Sequence, residues 1–378
     1  MTDTTALRKP VFTPEQGPRL AVQMWLASRL VLMITALWVM HTQRFTLTEV
    51  FSRWDAVHFI RVAETGYGVL TETAFFPGLP LVMAAFSFVG IPAFVTGIVV
   101  SLVGSGLAAW ALFRLAGGGQ RGVIAVAAWS FAPVAVFTFV PYTEAIFCAC
   151  AFWAFWYAKR DQWLWASVLA GAGCLFRVSG LFLIGALGLV ALFGFGKSTW
   201  KRKGQRLVWL VIPALVLFAY SLYLRLAFGS WTTWLDAQYF GWGRHFDWPW
   251  NALALTLRIG GLVGPTTSVT AVIFRWEVVA LAIGIITTAV LFSEKKVPEG
   301  GWVGIQVLAL SFQMALISLA RCVLLWFPLF LFVSDLGRGR AGPRWNNLRR
   351  VLVIILGCVE IIGMVWWAQR FFAGKWAG

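Results

Sequence analysis

The sequence is poor in charged residues and poorest in acidic ones. Only 12 % of its 378 residues are charged, and 15 Asp and Glu stand against 31 Lys and Arg. Since about a quarter of the residues of a soluble globular chain are charged, this composition excludes an ordinary soluble domain. Hydrophobic residues make up 60 % of the chain. The composition therefore predicts an all-α polytopic membrane protein, organised as one domain over residues 1–378.

Histidine and cysteine are also scarce, which bears on metal and disulfide chemistry. His41, His58 and His245 are scattered and show no spacing typical of a metal site. The cysteines lie in apolar segments, where they act as small apolar side chains rather than as disulfides or metal ligands. They are Cys148, Cys150, Cys174, Cys322 and Cys358. We expect neither a metal ion nor a cofactor.

The excess of basic residues falls mainly in the N-terminal tail and in short loops between apolar segments. Short cytoplasmic loops are enriched in Lys and Arg, so we place all of these loops inside. No soluble domain is left to bind nucleic acid, and the anionic lipid headgroups are the natural partner of this charge. The loops are residues 114–121, 159–160, 197–206, 295–296 and 338–350.

This placement predicts about eleven transmembrane helices, the first of which is a retained signal anchor. They are residues 20–40, 92–115, 122–140, 143–158, 163–178, 180–196, 207–228, 277–292, 302–320, 322–336 and 351–370. The remaining stretches, 41–91 and 229–276, become long exoplasmic loops with interfacial helices. In the first loop, Pro77 and Pro80 are expected to interrupt regular helix within 75–90.

Four charged residues stand at predicted outer helix ends, where charge against a membrane is costly and indicates function. Asp55 follows the first span, and Glu144 lies in "PYTEA". Arg177 lies in "LFRVSG" and Arg321 in "SLARCVLLWFP". If the helices form a bundle, two carboxylates and two guanidinium groups converge on one cavity.

Each of these residues also has a structural interpretation. Asp55 could pair with Arg53 or Arg61, and Glu144 could stabilise the start of its helix through the helix dipole. Arg177 and Arg321 could extend to lipid headgroups. His58 lies one helical turn from Asp55 and either shares its site or makes an interfacial hydrogen bond.

Two further features within apolar spans have structural readings. Arg29 is expected to pair internally or to reach a headgroup. "GSGLAA" at 104–109 resembles part of a dinucleotide loop, but it lies in an apolar span and indicates glycine-mediated helix packing.

The charged set suits group transfer from a lipid-linked phosphate to a hydroxyl. A carboxylate can act as general base on an alcohol, and the planar guanidinium group matches phosphate oxygens. A transporter or flippase of lipid-linked sugars would also place charges in a cavity. Transporters usually contain paired halves, and the sequence shows no internal symmetry.

Five motifs together resemble one family. They are "RWDAVHFIRVAETGY", "AFFPGLP", "PYTEAIF", "FRVSGL" and "ARCVLLWFPLF", in that order along the chain. The chain resembles the PIG-V-type mannosyltransferases of the GT-C superfamily, which in eukaryotes add the second mannose of the GPI anchor. In Arg321-Cys322 the family pattern leads us to expect an aromatic residue after the arginine, so this motif departs from it.

The resemblance implies a GT-C fold and a mannosyl donor on a dolichyl or polyprenyl monophosphate. The acceptor is then a lipid or glycan, not necessarily a GPI precursor, and Asp55 matches the general base of the first outer loop. The resemblance assigns substrate-binding positions to Trp54, His58, Phe76, Pro77, Tyr142, Glu144, Arg177 and Arg321. The Arg- and Trp-rich composition further suggests a bacterial protein of the plasma membrane, with its site facing outward.

Overall fold

The computed structural model describes residues 16–336 and 343–378, which form α-helices and short 3-10 segments with no β-strand. The basic tail residues Arg8 and Lys9, and residues 338–342 of the predicted loop 338–350, lie outside the described residues. The first nine helices are α1 (Gln16–Gln43), α2 (Leu47–Phe51), α3 (Asp55–Thr65), α4 (Gly78–Ser87), α5 (Ala93–Leu115), α6 (Gly119–Ser130), α7 (Glu144–Ala158), α8 (Trp163–Cys174) and α9 (Ser179–Phe193). The others are α10 (Trp200–Trp209), α11 (Val211–Phe228), α12 (Thr233–Trp242), α13 (Pro249–Ile259), α14 (Ala271–Ser293), α15 (Val297–Ser311), α16 (Leu319–Cys322), α17 (Phe327–Leu336) and α18 (Pro343–Phe372).

Helix length and hydropathy identify five candidate membrane spans among the described residues, or six if a bent pair is counted as one. The five are Gln16–Gln43, Ala93–Leu115, Trp200–Phe228, Ala271–Ser293 and Ile354–Phe372, and the pair is Leu319–Leu325 with Phe327–Leu336, bent by 71°. Most of the other predicted spans coincide with helices of 10 to 17 residues. Such helices are shorter than the hydrocarbon core of a bilayer, which is about 30 Å thick. The multi-pass helical character is confirmed, whereas the count of eleven transmembrane helices stays a prediction.

Several predicted helix boundaries are wrong, and the prolines explain some of these errors. The helix expected over 122–140 ends at Ser130, because Pro133 cannot continue it. The helix expected over 302–320 ends at Ser311. Pro80 does not interrupt helix: it is the third residue of α4, where its missing N–H is not needed, whereas Pro77 directly precedes that helix.

Small residues bring the central helices close together. α5 packs along α7, and a Cβ added at Gly104 would lie 2.7 Å from the backbone N of Ile146. Gly106 of the same helix faces Trp25. The packing interpretation of "GSGLAA" is therefore confirmed, and the close approach fixes the start of α7 next to α5.

Arg29 of α1 also makes an internal contact, as expected. Its guanidinium group donates to the carbonyl O of Thr138 at 3.0 Å and to the carbonyl O of Ser130 at 3.2 Å. Both carbonyl groups lie at or after the end of α6, where they accept no hydrogen bond from a following helical N–H group. Arg29 supplies the missing donors. The arginine holds the irregular chain 131–143 against α1.

The cysteines among the described residues are free thiols. Four are buried, in agreement with their role as small apolar side chains. Cys358 differs because its residue on α18 is exposed. It lies within the candidate membrane span Ile354–Phe372, so its exposure leaves the prediction of a small apolar side chain in an apolar segment standing.

Candidate active site

A cavity of about 670 Å³ opens where several predicted outer helix ends meet. Its wall includes residues of α3, of the chain between Tyr142 and α7, and of the turn before α9. Residues from α12, α15 and the chain around α16 complete it. Of the predicted site residues, the wall contains Trp54, Asp55, His58, Phe76, Tyr142, Arg177 and Arg321. Asp55, Arg177 and Arg321 thus converge on one cavity as expected, whereas Glu144 does not line it.

The backbone before α3 places Asp55 at the cavity. Trp54 precedes the helix with φ 55°, a conformation rarely adopted by residues other than glycine. The N–H of Asp55 donates to the hydroxyl oxygen of Tyr142 at 3.1 Å. Burial raises the pKa of Tyr142 well above its usual value, so this hydroxyl stays neutral. A strained turn and one buried tyrosine together fix the carboxylate at the first residue of α3.

Two carboxylates and two guanidinium groups form one network at the cavity wall. Arg321 Nη1 lies 2.8 Å from Asp55 Oδ2, and Arg321 Nε lies 3.0 Å from Glu144 Oε1. Arg177 Nη1 lies 2.6 Å from the same Glu144 oxygen. The Glu144 side chain is fully buried, whereas that of Asp55 is 24 % exposed. Glu144 therefore bridges the two arginines from behind, and Asp55 faces the cavity.

This network decides between the alternatives that the sequence left open. Asp55 pairs with Arg321. Arg61 pairs with Glu72 instead, with 3.6 Å between Arg61 Nη1 and Glu72 Oε1. Arg177 and Arg321 are 14 % and 10 % exposed at their side chains, which does not fit extension to headgroups. Glu144 begins α7, as a residue favoured by the helix dipole does, and it also pairs with both arginines.

A third carboxylate, Glu277 of α14, holds the segment that carries Arg321. Its oxygens accept the N–H groups of Ser318 at 2.9 Å and Ala320 at 2.8 Å. Ser318 has φ 66°, a left-handed conformation that needs such support. Glu277 is fully buried and thus positions the turn from which Arg321 reaches Asp55.

His58 and several aromatic residues form another part of the wall. The His58 ring stacks on Phe75 with centroids 4.8 Å apart, and burial lowers its pKa. Its Nδ1 is buried and has no hydrogen-bond partner among the described residues, so the alternative of an interfacial hydrogen bond at this atom is not observed. Pro77 does not line the cavity; it precedes α4, next to Phe76.

Sequence reasoning missed the contribution of the second long loop and of α15. Arg244, Gln238 and Trp242 line the cavity, as does Gln306. The buried Oε1 of Gln306 has no partner among the described residues. Arg244, Gln238 and Trp242 carry no sequence signal, because an outer loop is expected to contain such residues, and Gln306 is a single uncharged polar residue in a predicted span. The described part of the chain contains no group of three or more His, Cys, Asp or Glu that could hold a metal ion.

Comparison with known proteins gives a match for the part of the chain that carries Asp55, Glu144 and Arg177. No curated protein matches the chain. The family model described as Mannosyltransferase (PIG-V) matches residues 30–242, more than half of the chain. The matched region contains Asp55, Glu144 and Arg177 and ends before Arg244 and Arg321. The resemblance seen in the sequence motifs is confirmed, and the chain belongs to the PIG-V mannosyltransferase family.

Proposed function

We propose that the protein is an inverting mannosyltransferase that uses polyprenyl-phosphate-mannose. The mannosyl group passes to a hydroxyl of a lipid-linked glycan or glycolipid at the exoplasmic face of a bacterial plasma membrane. The observation that carries the proposal is the Asp55 carboxylate at the wall of a cavity of about 670 Å³, with one oxygen held by Arg321. Membership of a mannosyltransferase family supports the sugar that is transferred.

In the proposed step, Asp55 acts as general base. The acceptor hydroxyl oxygen attacks C1 of mannose from the face opposite the phosphate, and its proton passes to the free oxygen of Asp55. The C1–O bond to phosphate breaks, its electron pair stays on the phosphate oxygen, and polyprenyl phosphate leaves. Attack from the opposite face inverts C1. Arg321 holds the other carboxylate oxygen, which keeps the base oriented during the transfer.

The other predicted site residues take supporting roles in this proposal. Arg177 and Arg321 offer guanidinium N–H groups at the end of the cavity where the phosphate leaves. Trp54, Phe76 and Tyr142 shape the wall around the sugar, and the unpaired Nδ1 of His58 is available to a sugar hydroxyl. Glu144 and Pro77 act from behind the wall, through the arginines and through the start of α4.

Mannosyl transfer by the purified protein tests the proposal. In detergent solution, with labelled polyprenyl-phosphate-mannose and a lipid extract as acceptor, we expect a mannosylated product. The Asp55→Asn variant should lose turnover by about a hundredfold or more while it still folds. Asp335→Asn is the matched control, because Asp335 is exposed and pairs with Arg121 outside the cavity.

The same assay separates an enzyme from a transporter or flippase. No membrane barrier exists in detergent, so formation of a product requires catalysis. Binding of the donor without any product would contradict the proposed transferase and favour transport. Normal turnover of a folded Asp55→Asn protein would remove Asp55 from the role of base.

A further inference from the structure

The ion pairs of the cavity leave one arginine without a carboxylate. Arg177 and Arg321 are matched by Glu144 and Asp55, so these four groups carry no net charge. Arg244 also lines the cavity. No acidic side chain of the described residues forms an ion pair with it. Among the described side chains that line the cavity, Arg244 is therefore the arginine that has no carboxylate within ion-pair distance.

The hydrogen-bond partners of Arg244 are neutral side chains, and their contacts with it are long. Its Nη2 donates to Ser318 Oγ at 3.2 Å, and its Nη1 donates to Gln238 Oε1 at 3.4 Å. Its Nε is buried without a partner among the described residues. Hydrogen bonds of this length are weak, so much of the donor capacity of the guanidinium group is unused.

An unpaired guanidinium group in a cavity destabilises the folded protein. Burial, the largest cause, and the nearby positive charge of Arg321 lower the pKa of Arg244, and the carboxylates of Asp55 and Glu277 offset this only in part. An anion bound beside Arg244 would stabilise the charged guanidinium group, which would raise its pKa and reduce its cost to the folded protein. Such a cost is typical of binding residues, where stability is lost in favour of a ligand.

The position of Arg244 indicates which anion it meets. It follows α12 after Gly243, whose φ of 64° turns the chain toward the cavity. Exposed aromatic side chains surround it along the loop, and tyrosine and tryptophan favour the level of lipid headgroups. They are Tyr239, Phe240, Phe246, Trp248 and Trp250.

We propose that Arg244 binds the phosphate of the lipid-linked donor and supplies the positive charge that Arg177 and Arg321, already matched by carboxylates, do not. A sugar joined to a polyprenyl chain through one phosphate is a phosphodiester with a single negative charge, which one unpaired guanidinium group neutralises. The planar group can bind two phosphate oxygens at once. This inference rests on the proposed function for the class of donor, and it adds the residue that the family match does not reach.

Binding of a sugar-free probe tests the inference apart from catalysis. The probes are a short-chain polyprenyl monophosphate and the corresponding uncharged polyprenol, added to the purified protein in detergent. We expect the wild type to prefer the phosphate, and Arg244→Gln to weaken phosphate binding about tenfold or more without affecting polyprenol. Arg244→Lys should retain part of the preference, because the charge stays and the planar fork is lost.

The control is Arg258→Gln, which removes an exposed arginine of the same loop that does not line the cavity. It should bind both probes as the wild type does. Melting without ligand gives a second measure: Arg244→Gln should melt at the same or a higher temperature than the wild type, because an unpaired charge is removed. Polyprenyl phosphate should raise the melting temperature of the wild type and leave that of Arg244→Gln unchanged.

The outcomes separate this inference from the proposed function. Undiminished phosphate binding by Arg244→Gln, or no preference for phosphate in the wild type, would overturn the role of Arg244, whether or not mannose is transferred. A phosphate preference that depends on Arg244, in a protein that forms no mannosylated product, would leave this inference intact and overturn the transferase.

Discussion

Glu144 connects the charged residues of the site, although it does not reach the cavity itself. One of its oxygens lies 2.6 Å from Arg177 Nη1 and 3.0 Å from Arg321 Nε. Its side chain has no exposed area, so the carboxylate depends on these two partners. Removing one member of a buried ion pair is costly, because the remaining charges stay buried without compensation.

Glu144→Gln tests this connection with little change in shape. We expect the variant to be destabilised by about 3 kcal/mol or more, because two guanidinium groups lose a charge partner. Asp55→Asn should be destabilised less, because Asp55 is partly exposed and has one arginine partner. Thermal melting of the two purified variants and the wild type in one detergent measures the order. An equal or smaller loss in Glu144→Gln would contradict the bridging role.

At the level of residues, the sequence predicts the paired charges better than the unpaired one. Asp55, Arg177 and Arg321 stand out because charge next to apolar helices is rare and costly. Arg244 does not stand out, because it lies in an outer loop where charged residues are common. What distinguishes it is that no acidic side chain of the described residues pairs with it, and that depends on the positions of side chains from α12 and from the turn before α16, which a linear sequence does not contain.

At the level of elements, the approach of α5 to α7 decides where Glu144 lies. A Cβ at Gly104 would lie 2.7 Å from Ile146 N and 2.9 Å from the carbonyl carbon of Ala145. These are backbone atoms, which cannot turn aside as a flexible side chain can. The start of α7, and Glu144 with it, is therefore set by the absence of a side chain at Gly104.

Gly104→Ala should push α7 away from α5 and destabilise the protein by about 2 kcal/mol. Gly185→Ala on α9 is the matched control: a Cβ at Gly185 meets no atom within 4 Å. It should be neutral or slightly stabilising, since alanine favours helix. Melting temperatures of both variants provide the comparison. Similar melting of Gly104→Ala and wild type would show that the two helices separate at little cost.

Element type was predictable from the sequence, whereas breaks within elements were not. Apolar runs indicate helices wherever they are long, and α1, α5 and α14 follow the predicted spans closely. The breaks after Ser130 and Ser311 and the bend between α16 and α17 lie inside apolar runs, where hydropathy gives no signal. Pro133 offers a local reason for the first break. The others depend on tertiary contacts such as those of Glu277 with Ser318 and Ala320.

At the level of the whole molecule, the predicted inner loops contact one another. Lys159 forms an ion pair with Glu299, which joins the loop after α7 to the start of α15. Arg206 Nε lies 2.7 Å from Asp161 Oδ1, and this ion pair joins α10 to the same loop. None of these four residues lines the cavity. This separation of basic loops from the cavity supports the prediction that the site faces outward.

Helix α14 offers a direct test of that orientation, because its two ends belong to the two sets of loops. It has 23 residues, and a helix of that length extends about 34 Å, enough to cross the apolar core of a bilayer. Glu277 near its first end contacts the cavity segment at Ser318. Glu294 follows its last residue, beside the predicted inner loop 295–296.

Single cysteines at the two ends should react from opposite sides of the membrane. In a Cys358→Ser background, which removes the exposed native thiol, Val269→Cys should react with a membrane-impermeant maleimide on intact cells. Glu294→Cys should react only after the membrane is permeabilised, because the basic loop beside it is retained inside. The reverse pattern would show that the cavity faces the cytoplasm. The donor would then have to present its sugar on that side. Reaction of both cysteines on intact cells would mean that α14 does not cross the membrane.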